Sequence, residues 1–243
     1  MPITNFNYSG KLYLIPTTLG TSNSFDVMPA MVKNIIGKID HYIVENEKTA
    51  RKSIKQVDPN KQQSSLKLNS LNKFTNPADL PSFLDPCKEG LDVGLLSEAG
   101  CPGVADPGAE VVKLAHQMGI QVVPLVGPSS ILLALMGSGM NGQSFTFHGY
   151  LPIDKKERKH ELKMLERISA ERNQAQLFIE TPYRNNQLLE DMKQILHPST
   201  QLCIACDLTL PSEYIITKSI SDWAKTKVDL HKRPTMFIIQ KDI

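Results

Sequence analysis

The stretch Asp92–Gly108 reads DVGLLSEAGCPGVADPG and joins a strand to a helix through a loop rich in glycine and proline. Its apolar start, Asp92–Leu96, predicts a strand buried on both faces, as in a parallel sheet. Glycine lets a ligand approach the backbone of such a loop, and proline keeps the loop stiff. Because ligands bind at the carboxyl ends of strands in an open α/β sheet, Ser97–Gly108 is a candidate ligand-binding loop. A tight strand–helix connection without a ligand is the alternative for the same residues.

Short apolar runs alternate with helical segments on both sides of this loop. Up to residue 126 they predict strand–helix repeats, which form a parallel sheet with right-handed crossovers. After Gly127, neighbouring strands with short links predict a mixed sheet. The sequence therefore predicts two α/β domains, residues 1–127 with a parallel sheet and residues 128–243 with a mixed sheet. The predicted strands are Lys11–Ile15, His41–Val44, Leu66–Leu68, Asp92–Leu96, Gln121–Val126, Phe145–Tyr150, Ala175–Ile179, Leu202–Cys206, Tyr214–Thr217 and Thr235–Gln240.

Capping residues set the expected ends of the helices. Asp26 is a suitable cap for the first helix, because its side chain can accept a hydrogen bond from the first turn. A second helix is expected to begin at Asn76 or Asp79 and to end at Gly90, where glycine permits a left-handed turn.

The composition is that of an ordinary soluble globular protein, with 41% hydrophobic and 21% charged residues. A net charge of +2 is too balanced to indicate nucleic-acid binding by bulk charge, so any basic surface must be local. Cys203 and Cys206 have C-x-x-C spacing inside an apolar strand, which favours buried cysteines over a redox or zinc role. The histidines show no ligand spacing, and no metal site is expected. The polar segment Met1–Lys11 and the absence of a long apolar run predict a cytoplasmic protein without a membrane span.

Six motifs occur in the order that the tetrapyrrole-methylase superfamily shows. They are Gly10–Gly20 (GKLYLIPTTLG), Leu95–Gly108 (LLSEAGCPGVADPG), Val122–Leu135 (VVPLVGPSSILLAL), Phe147–Pro152 (FHGYLP), Glu180–Arg184 (ETPYR) and Ala205–Thr209 (ACDLT). Together they look most like the branch that methylates the ribose of a cytidine in small-subunit ribosomal RNA. The resemblance implies two α/β domains with S-adenosylmethionine in the cleft between them, a homodimer, and no metal.

The resemblance also implies which residues contact the cofactor. They are Pro16, Thr17, Leu19, Ser97, Ala99, Gly100, Cys101, Pro102, Val104, Ser129, Ser130, Leu151, Ala205, Cys206 and Pro234. The hydroxyls of Ser129 and Ser130 stand at the start of a predicted helix, where they can cap it or bind a ligand. Tyr183 can stack on the adenine or on a base, or can simply pack. No G-x-G-x-x-G follows the first strand, which disfavours an ordinary dinucleotide site.

The candidate catalytic residues follow from what methyl transfer to a ribose hydroxyl needs. The acceptor oxygen, the methyl group and the sulfur must be aligned, which is mainly a matter of positioning. A ribose hydroxyl is a weak acid, so a base or a cation would help. The candidates are Glu45, Lys48, Glu180 and Arg184, with Glu180 best placed because it ends a strand. A surface charge or a structural ion pair is the alternative for each of them.

A strongly charged segment covers Asp154–Arg167 (DKKERKHELKMLER), and a helix is expected over residues 155–170. A solvated face with pairs of opposite charge four residues apart is one interpretation. An arm that contacts RNA phosphates through its basic residues, Arg158 among them, is the other.

Two segments depart from the ribosomal branch. Where that branch has A-E-D-T-R, this chain has Val44–Lys48 (VENEK), which keeps Glu45 and replaces an acid by Asn46. The branch's H-E-H-N appears as Leu71–Phe74 (LNKF), without histidines. The main interpretation is an S-adenosylmethionine-dependent methyltransferase of ribosomal RNA. The alternatives are a methyltransferase of a tetrapyrrole or another small molecule, and a non-catalytic descendant that binds the cofactor or RNA.

Overall fold

The structure is a computed structural model that describes residues 6–241 of the chain. The chain divides between Ser129 and Ser130 into two compact units, and each unit contains one five-stranded sheet. The strands are β1 Lys11–Ile15, β2 His41–Val44, β3 Lys67–Ser70, β4 Val93–Leu96, β5 Gln121–Pro124, β6 Phe145–Tyr150, β7 Ala175–Ile179, β8 Gln201–Cys206, β9 Tyr214–Ser219 and β10 Thr235–Gln240. The α-helices are α1 Ser24–Val27, α2 Ala30–Lys38, α3 Glu47–Val57, α4 Leu80–Phe83, α5 Asp85–Lys88, α6 Ala109–Met118, α7 Ser130–Ser138, α8 Lys155–Arg172, α9 Asn185–Ile195 and α10 Ile220–Trp223.

The sheet of unit 1 has the strand order β3-β2-β4-β1-β5, and all its neighbouring strands are parallel. Both of its faces are covered. Tyr42 and Val44 pack with α2 and α3, whereas Ile43 between them packs with α4, α5 and α6. Because both faces are covered, every residue of β4 is buried. The predicted parallel sheet is confirmed, and the carboxyl ends of its strands share one edge.

The sheet of unit 2 has the order β6-β7-β10-β8-β9. Strands β6 and β7 are parallel, and the other neighbours are antiparallel. Helices α8 and α9 pack on this sheet through a core that includes Leu162, Leu188 and Phe237. The indole nitrogen of the fully buried Trp223 donates to the carbonyl of Leu202 at 2.7 Å, which fixes α10 to the sheet. The predicted mixed sheet is confirmed.

Two helix predictions differ from the structure, the first in its capping residue and the second in its continuity. Asn23, not Asp26, caps α1, because its side chain accepts a hydrogen bond from the Phe25 amide. The single helix expected from Asn76 or Asp79 to Gly90 is a 3-10 turn (Pro77–Asp79) followed by α4 and α5. Pro81 and Pro86 lack an amide hydrogen and stand in the first turns of α4 and α5, so they divide the segment. Across residues 6–241, no helix has the length and apolar composition needed to cross a membrane.

Candidate active site

In unit 1, the loops that follow β1 and β4 are joined at the carboxyl edge of the sheet. The amide of Thr17 donates to the carbonyl of Gly100 at 2.9 Å, and the amide of Gly100 donates back at 3.2 Å. The Ser97 hydroxyl donates to the same Gly100 carbonyl at 2.5 Å and lies 3.2 Å from the Thr17 hydroxyl. The structure therefore brings three predicted cofactor residues together in one buried, hydrogen-bonded group.

Glycine is required at two points of this edge. Gly100 has a φ of +72°, and a Cβ there would lie 3.1 Å from Leu19 Cδ2. A Cβ on Gly127, which follows β5, would lie 2.2 Å from Cγ of Pro16. The Cys101 thiol lies 3.5 Å from the carbonyl of Pro128, where it makes a weak hydrogen bond. The loops after β1, β4 and β5 thus pack tightly, and they hold the predicted residues Pro16, Leu19 and Cys101.

The Ser97–Gly108 loop keeps part of its backbone available. Within the described part of the chain, the backbone N–H groups of Ala99, Cys101 and Gly103 have no hydrogen-bond partner. Gly103 has a φ of +76°, and the nearest atom to a Cβ there would be 3.8 Å away. Pro102 is buried, whereas Val104 is exposed. This loop can therefore bind a polar ligand through its main chain.

Three carboxylates meet beside the loop: Glu45 follows β2, Glu98 follows β4, and Asp106 lies further along the loop. Burial raises the pKa of Asp106 to about 6, and the nearby charges of Glu45 and Glu98 act in the same direction. The Glu98 amide, which donates to the Asp106 carboxylate, opposes this rise in pKa. The Thr49 hydroxyl donates to Glu98 Oε1. A carboxyl group with a pKa near 6 can hold or release a proton close to neutral pH.

Glu45 was a candidate from the sequence, whereas Glu98 and Asp106 were not. Both acids lie in the quoted stretch, one near each end of the loop. They meet only because the loop folds back, with Ala105 at a φ of +57° and Gly108 at +133°. The presence of two acidic residues in one predicted ligand-binding loop is the signal in the sequence that could have identified them.

A cleft of about 420 Å³ opens in unit 1 between this edge and α3. Its lining consists of Thr18, Leu19, Gly20, Thr21, Thr49, Lys52, Ser53, Gln56, Glu98 and Ala99. Of the predicted cofactor residues, Leu19 and Ala99 line this cleft.

In unit 2, the predicted residues also share one edge of the sheet. Strand β10 is antiparallel to both β7 and β8, so it begins where they end. Ala205 and Cys206 end β8, Leu151 follows β6, and Pro234 precedes β10. Leu151, Ala205 and Cys206 are buried, whereas Pro234 is exposed and its carbonyl accepts from the Asp207 amide at 2.9 Å.

The Glu180–Arg184 motif forms a turn after β7. The buried Glu180 accepts at Oε1 from the Thr181 amide at 2.6 Å and from Arg184 Nη2 at 2.7 Å. Arg184 Nε is buried without a partner. Tyr183 is 70% exposed and meets the ring of His231 edge-on, with the ring centroids 6.0 Å apart. The Glu180 carboxylate is therefore already engaged within the turn, and the Tyr183 ring remains accessible.

The C-x-x-C pair consists of buried free thiols, as predicted. Burial raises the pKa of both Cys203 and Cys206. In the described residues, no group of three or more His, Cys, Asp or Glu side chains is arranged to hold a metal ion. Ser129 ends unit 1 and Ser130 begins α7, so the two predicted serines belong to different units.

Arg158 is a structural residue, and the prediction that it belongs to a solvated or phosphate-contacting face is wrong. It is 7% exposed, and its Nε and Nη2 both donate to Asp191 Oδ2 on α9. Its Nη1 donates to the carbonyls of Pro152 at 3.1 Å and Ile153 at 2.6 Å. The pattern of charges did not distinguish this residue, because only the packing of α8 on α9 buries it.

Comparison with known proteins assigns this chain, with its two α/β units and its Ser97–Gly108 loop, to the methyltransferases. Residues 22–224 match the model of the family described as Tetrapyrrole (Corrin/Porphyrin) Methylases. A Vibrio cholerae protein named ribosomal RNA small subunit methyltransferase I is 30% identical over 84% of this chain and 67% of its own length. A Bacillus subtilis protein of the same name is 31% identical over 88% of this chain and 70% of its own length.

Two solved structures share the fold. The methyltransferase CobJ superimposes with a TM-score of 0.62 at 18% identity, over 96% of this chain and 94% of CobJ. The cobalt precorrin-4 methyltransferase CbiF gives 0.59 at 13% identity, over 99% of this chain and 98% of CbiF. The chain belongs to the tetrapyrrole methylase family and is a methyltransferase.

Proposed function

We propose that this protein transfers a methyl group from S-adenosylmethionine to a ribose hydroxyl of small-subunit ribosomal RNA. The observation that carries the proposal is the identity of 30–31% to two proteins named ribosomal RNA small subunit methyltransferase I, over 84–88% of the chain. A ribosomal RNA acceptor implies a cytoplasmic protein. The homodimer that the resemblance implies is part of the same proposal, and sedimentation velocity measures it.

The carboxyl edge of unit 1 fits S-adenosylmethionine. The unpaired N–H groups of Ala99, Cys101 and Gly103 can donate to the polar atoms of the cofactor. The carboxylates beside the loop supply negative charge, which suits the positive sulfur. When bound, S-adenosylmethionine supplies a methyl group that its sulfonium has already activated.

The other cofactor contacts are part of the same proposal. In unit 1 they are Pro16, Thr17, Leu19, Ser97, Gly100, Pro102, Val104 and Ser129, and in unit 2 they are Ser130, Leu151, Tyr183, Ala205, Cys206 and Pro234. The common position of Leu151, Tyr183, Ala205, Cys206 and Pro234 at one sheet edge supports their assignment.

The three carboxylates of unit 1, those of Glu45, Glu98 and Asp106, can also accept the proton that the acceptor hydroxyl must lose. With its pKa near 6, Asp106 binds a proton more readily than an ordinary aspartate and is still largely ionised at pH 7.5. Glu45 is the candidate catalytic residue in contact with Asp106. For Glu180 and Arg184, the mutual ion pair favours a positioning role within their turn.

The surface of α8 supports an RNA acceptor. Lys155, Lys159, Lys163 and Arg167 follow one another at intervals of four residues, and all four are exposed. In the described residues, none of the three lysines has a carboxylate within 4.0 Å, and Arg167 reaches only Glu171 at 3.8 Å. Like charges at this spacing cost a helix about 0.2–0.5 kcal/mol per pair. A polyanion relieves that repulsion, so this row favours phosphate contact over a merely solvated face.

The test is methyl transfer from labelled S-adenosylmethionine to purified small ribosomal subunits, combined with calorimetry of S-adenosylhomocysteine. We expect binding of S-adenosylhomocysteine and label at a ribose of the RNA. Binding without label on the RNA would reject the acceptor and favour a small-molecule substrate or a non-catalytic protein. The absence of binding would reject the cofactor as well.

A further inference from the structure

The cleft of about 420 Å³ in unit 1 is lined on one side by a polar stripe of helix α3. The stripe consists of Thr49, Lys52, Ser53 and Gln56. Lys52 and Ser53 lie three and four residues after Thr49 and four and three residues before Gln56, so the four positions share one face of the helix. The buried side chains of α3 are those of Ala50, Ile54 and Val57, which hold the helix on the sheet. The core therefore fixes the direction in which the polar stripe points, which is into the cleft.

Two hydroxyl groups, that of Ser53 in this stripe and that of Ser24 near it, have no hydrogen-bond partner in the described residues. Ser24 is 2% exposed, and its hydroxyl is buried and unpaired. It lines a small pocket that shares Thr18, Ser53 and Gln56 with the cleft, so this pocket adjoins the cleft. The Ser53 hydroxyl is the second unpaired group. Buried polar groups in native proteins nearly always have a partner, and a single water in the small pocket is enough to supply one to Ser24. The Ser53 hydroxyl, which lines the cleft itself, is therefore the group that is available to a ligand.

The charge of the stripe distinguishes the cleft's ligand from the methyl donor. Lys52 is exposed and, within residues 6–241, has no carboxylate within 4.0 Å. Glu98 lines the cleft at the sheet edge and belongs to the carboxylates beside the methyl-donor loop, whereas Lys52 lies on the α3 side. The Lys52 ammonium group repels the net positive charge of S-adenosylmethionine and attracts a phosphodiester. The volume lies in the range of about 300–1,000 Å³ that is usual for small-molecule sites.

We propose that this cleft holds one nucleotide of the acceptor RNA. Lys52 contacts its phosphate, and the Ser53 hydroxyl pairs with a polar atom of its sugar or base. The inference rests on the proposed function in taking RNA as the acceptor, and it adds the subsite that receives one nucleotide.

The variants Lys52→Gln and Ser53→Ala test the subsite, with Lys55→Gln as the matched control. Lys55 is exposed on the same helix but does not line the cleft. Ser53→Ala is expected to raise the KM for ribosomal subunits about fivefold, which is the loss of one hydrogen bond of roughly 1 kcal/mol. Lys52→Gln is expected to lower the slope of log K against log salt by about 1, as for one phosphate contact. The affinity for S-adenosylhomocysteine is expected to stay unchanged in both variants.

Several outcomes would overturn the subsite. A loss of S-adenosylhomocysteine affinity in Ser53→Ala would assign the cleft to the cofactor. Equal effects of Lys52→Gln and Lys55→Gln would show diffuse attraction by the helix instead of a phosphate contact. An unchanged KM in Ser53→Ala would show that solvent satisfies this hydroxyl and that no nucleotide pairs with it.

A binding experiment separates this inference from the proposed function. The four nucleoside 5′-monophosphates are titrated into ¹⁵N-labelled protein, and amide shifts are followed by NMR. Shifts confined to Lys52, Ser53, Gln56 and their neighbours support the subsite even if ribosomal subunits are not methylated. Methylation of the subunits without such shifts, and with the KM of both variants unchanged, rejects the subsite and leaves the proposed function standing.

Discussion

Substituting methionine for Arg158 tests whether a buried ion pair holds the turn that carries Leu151. The side chains of Arg158 and Asp191 are 8% and 2% exposed. The guanidinium group joins Asp191 to the carbonyls of Pro152 and Ile153, which lie directly after Leu151. Methionine fills a similar space without the charge, so Arg158→Met leaves the buried Asp191 carboxylate without its cation.

The expected loss of stability is large. Removing one partner of a buried ion pair costs about 3–5 kcal/mol, because the other charge stays buried and unpaired. For a protein of this size, 1 kcal/mol lowers the melting temperature by about 2–4 °C. We therefore expect Arg158→Met to melt roughly 10 °C below the parent. The double variant Arg158→Met/Asp191→Leu is expected to recover most of this loss, since an apolar pair replaces both charges.

Thermal melts followed by circular dichroism measure these changes, and Arg167→Met is the control. Arg167 and Glu171 are 70% and 60% exposed and lie 3.8 Å apart. An exposed pair of this kind contributes about 0–1 kcal/mol. Equal melting temperatures for Arg158→Met and Arg167→Met would refute the structural role of Arg158. Failure of Asp191→Leu to rescue Arg158→Met would show that the carbonyl contacts, not the ion pair, carry the stability.

Three further substitutions test the two sheet edges. The pKa of Asp106 is about 6 in the folded state, against 3.8 in an unstructured chain, so its carboxyl group binds more protons when the protein is folded. Its contribution to stability therefore falls as the pH rises through this window. Asp106→Asn is expected to remove that fall, which urea unfolding between about pH 4 and 6 measures with the parent as reference. Gly127→Ala places a Cβ 2.2 Å from Cγ of Pro16, so we expect the free energy of unfolding to fall by about 1–3 kcal/mol and S-adenosylhomocysteine to bind more weakly. An unchanged melting temperature and an unchanged affinity would contradict the close packing of Gly127 on Pro16. Glu180→Gln breaks the ion pair with Arg184, and we expect a lower kcat with an unchanged pH–rate profile; disappearance of the acidic limb would instead identify Glu180 as the base.

The sequence was sufficient for most of the fold because burial leaves a direct trace in it. The apolar run of β4 predicts a strand covered on both faces, and all its residues are buried. Edge strands leave a weaker trace: the predicted strand Leu66–Leu68 is in fact Lys67–Ser70, and Lys67 is exposed. The helix predictions were wrong where another residue decided the outcome. Asn23 caps α1 in place of Asp26, and Pro86 stands in the first turn of a separate helix.

The candidate site was predictable where one segment builds it and not where distant segments meet. Ser97 and Gly100 stand within one loop, and their hydrogen bond is local. The approach of Asp106 to Glu45 depends on how that loop folds back against the end of β2, and no spacing in the sequence encodes it. The burial of Arg158 likewise depends on the packing of α8 against α9.

The segment Val44–Lys48, whose departure from the ribosomal pattern motivated a non-catalytic alternative, keeps its structural role. Asn46 stands where the branch has an acid, and it caps α3 by accepting from the amides of Lys48 at 2.9 Å and Thr49 at 3.2 Å. Asparagine and aspartate are nearly equivalent caps, so the replacement preserves the start and direction of α3. The same helix presents the polar stripe that contains Lys52 to the cleft. An asparagine at position 46 also leaves the N-terminal end of this helix without the negative charge that the branch has there. The departure therefore changes the charge at the start of α3 but not the helix that lines the cleft, and it does not argue against catalysis.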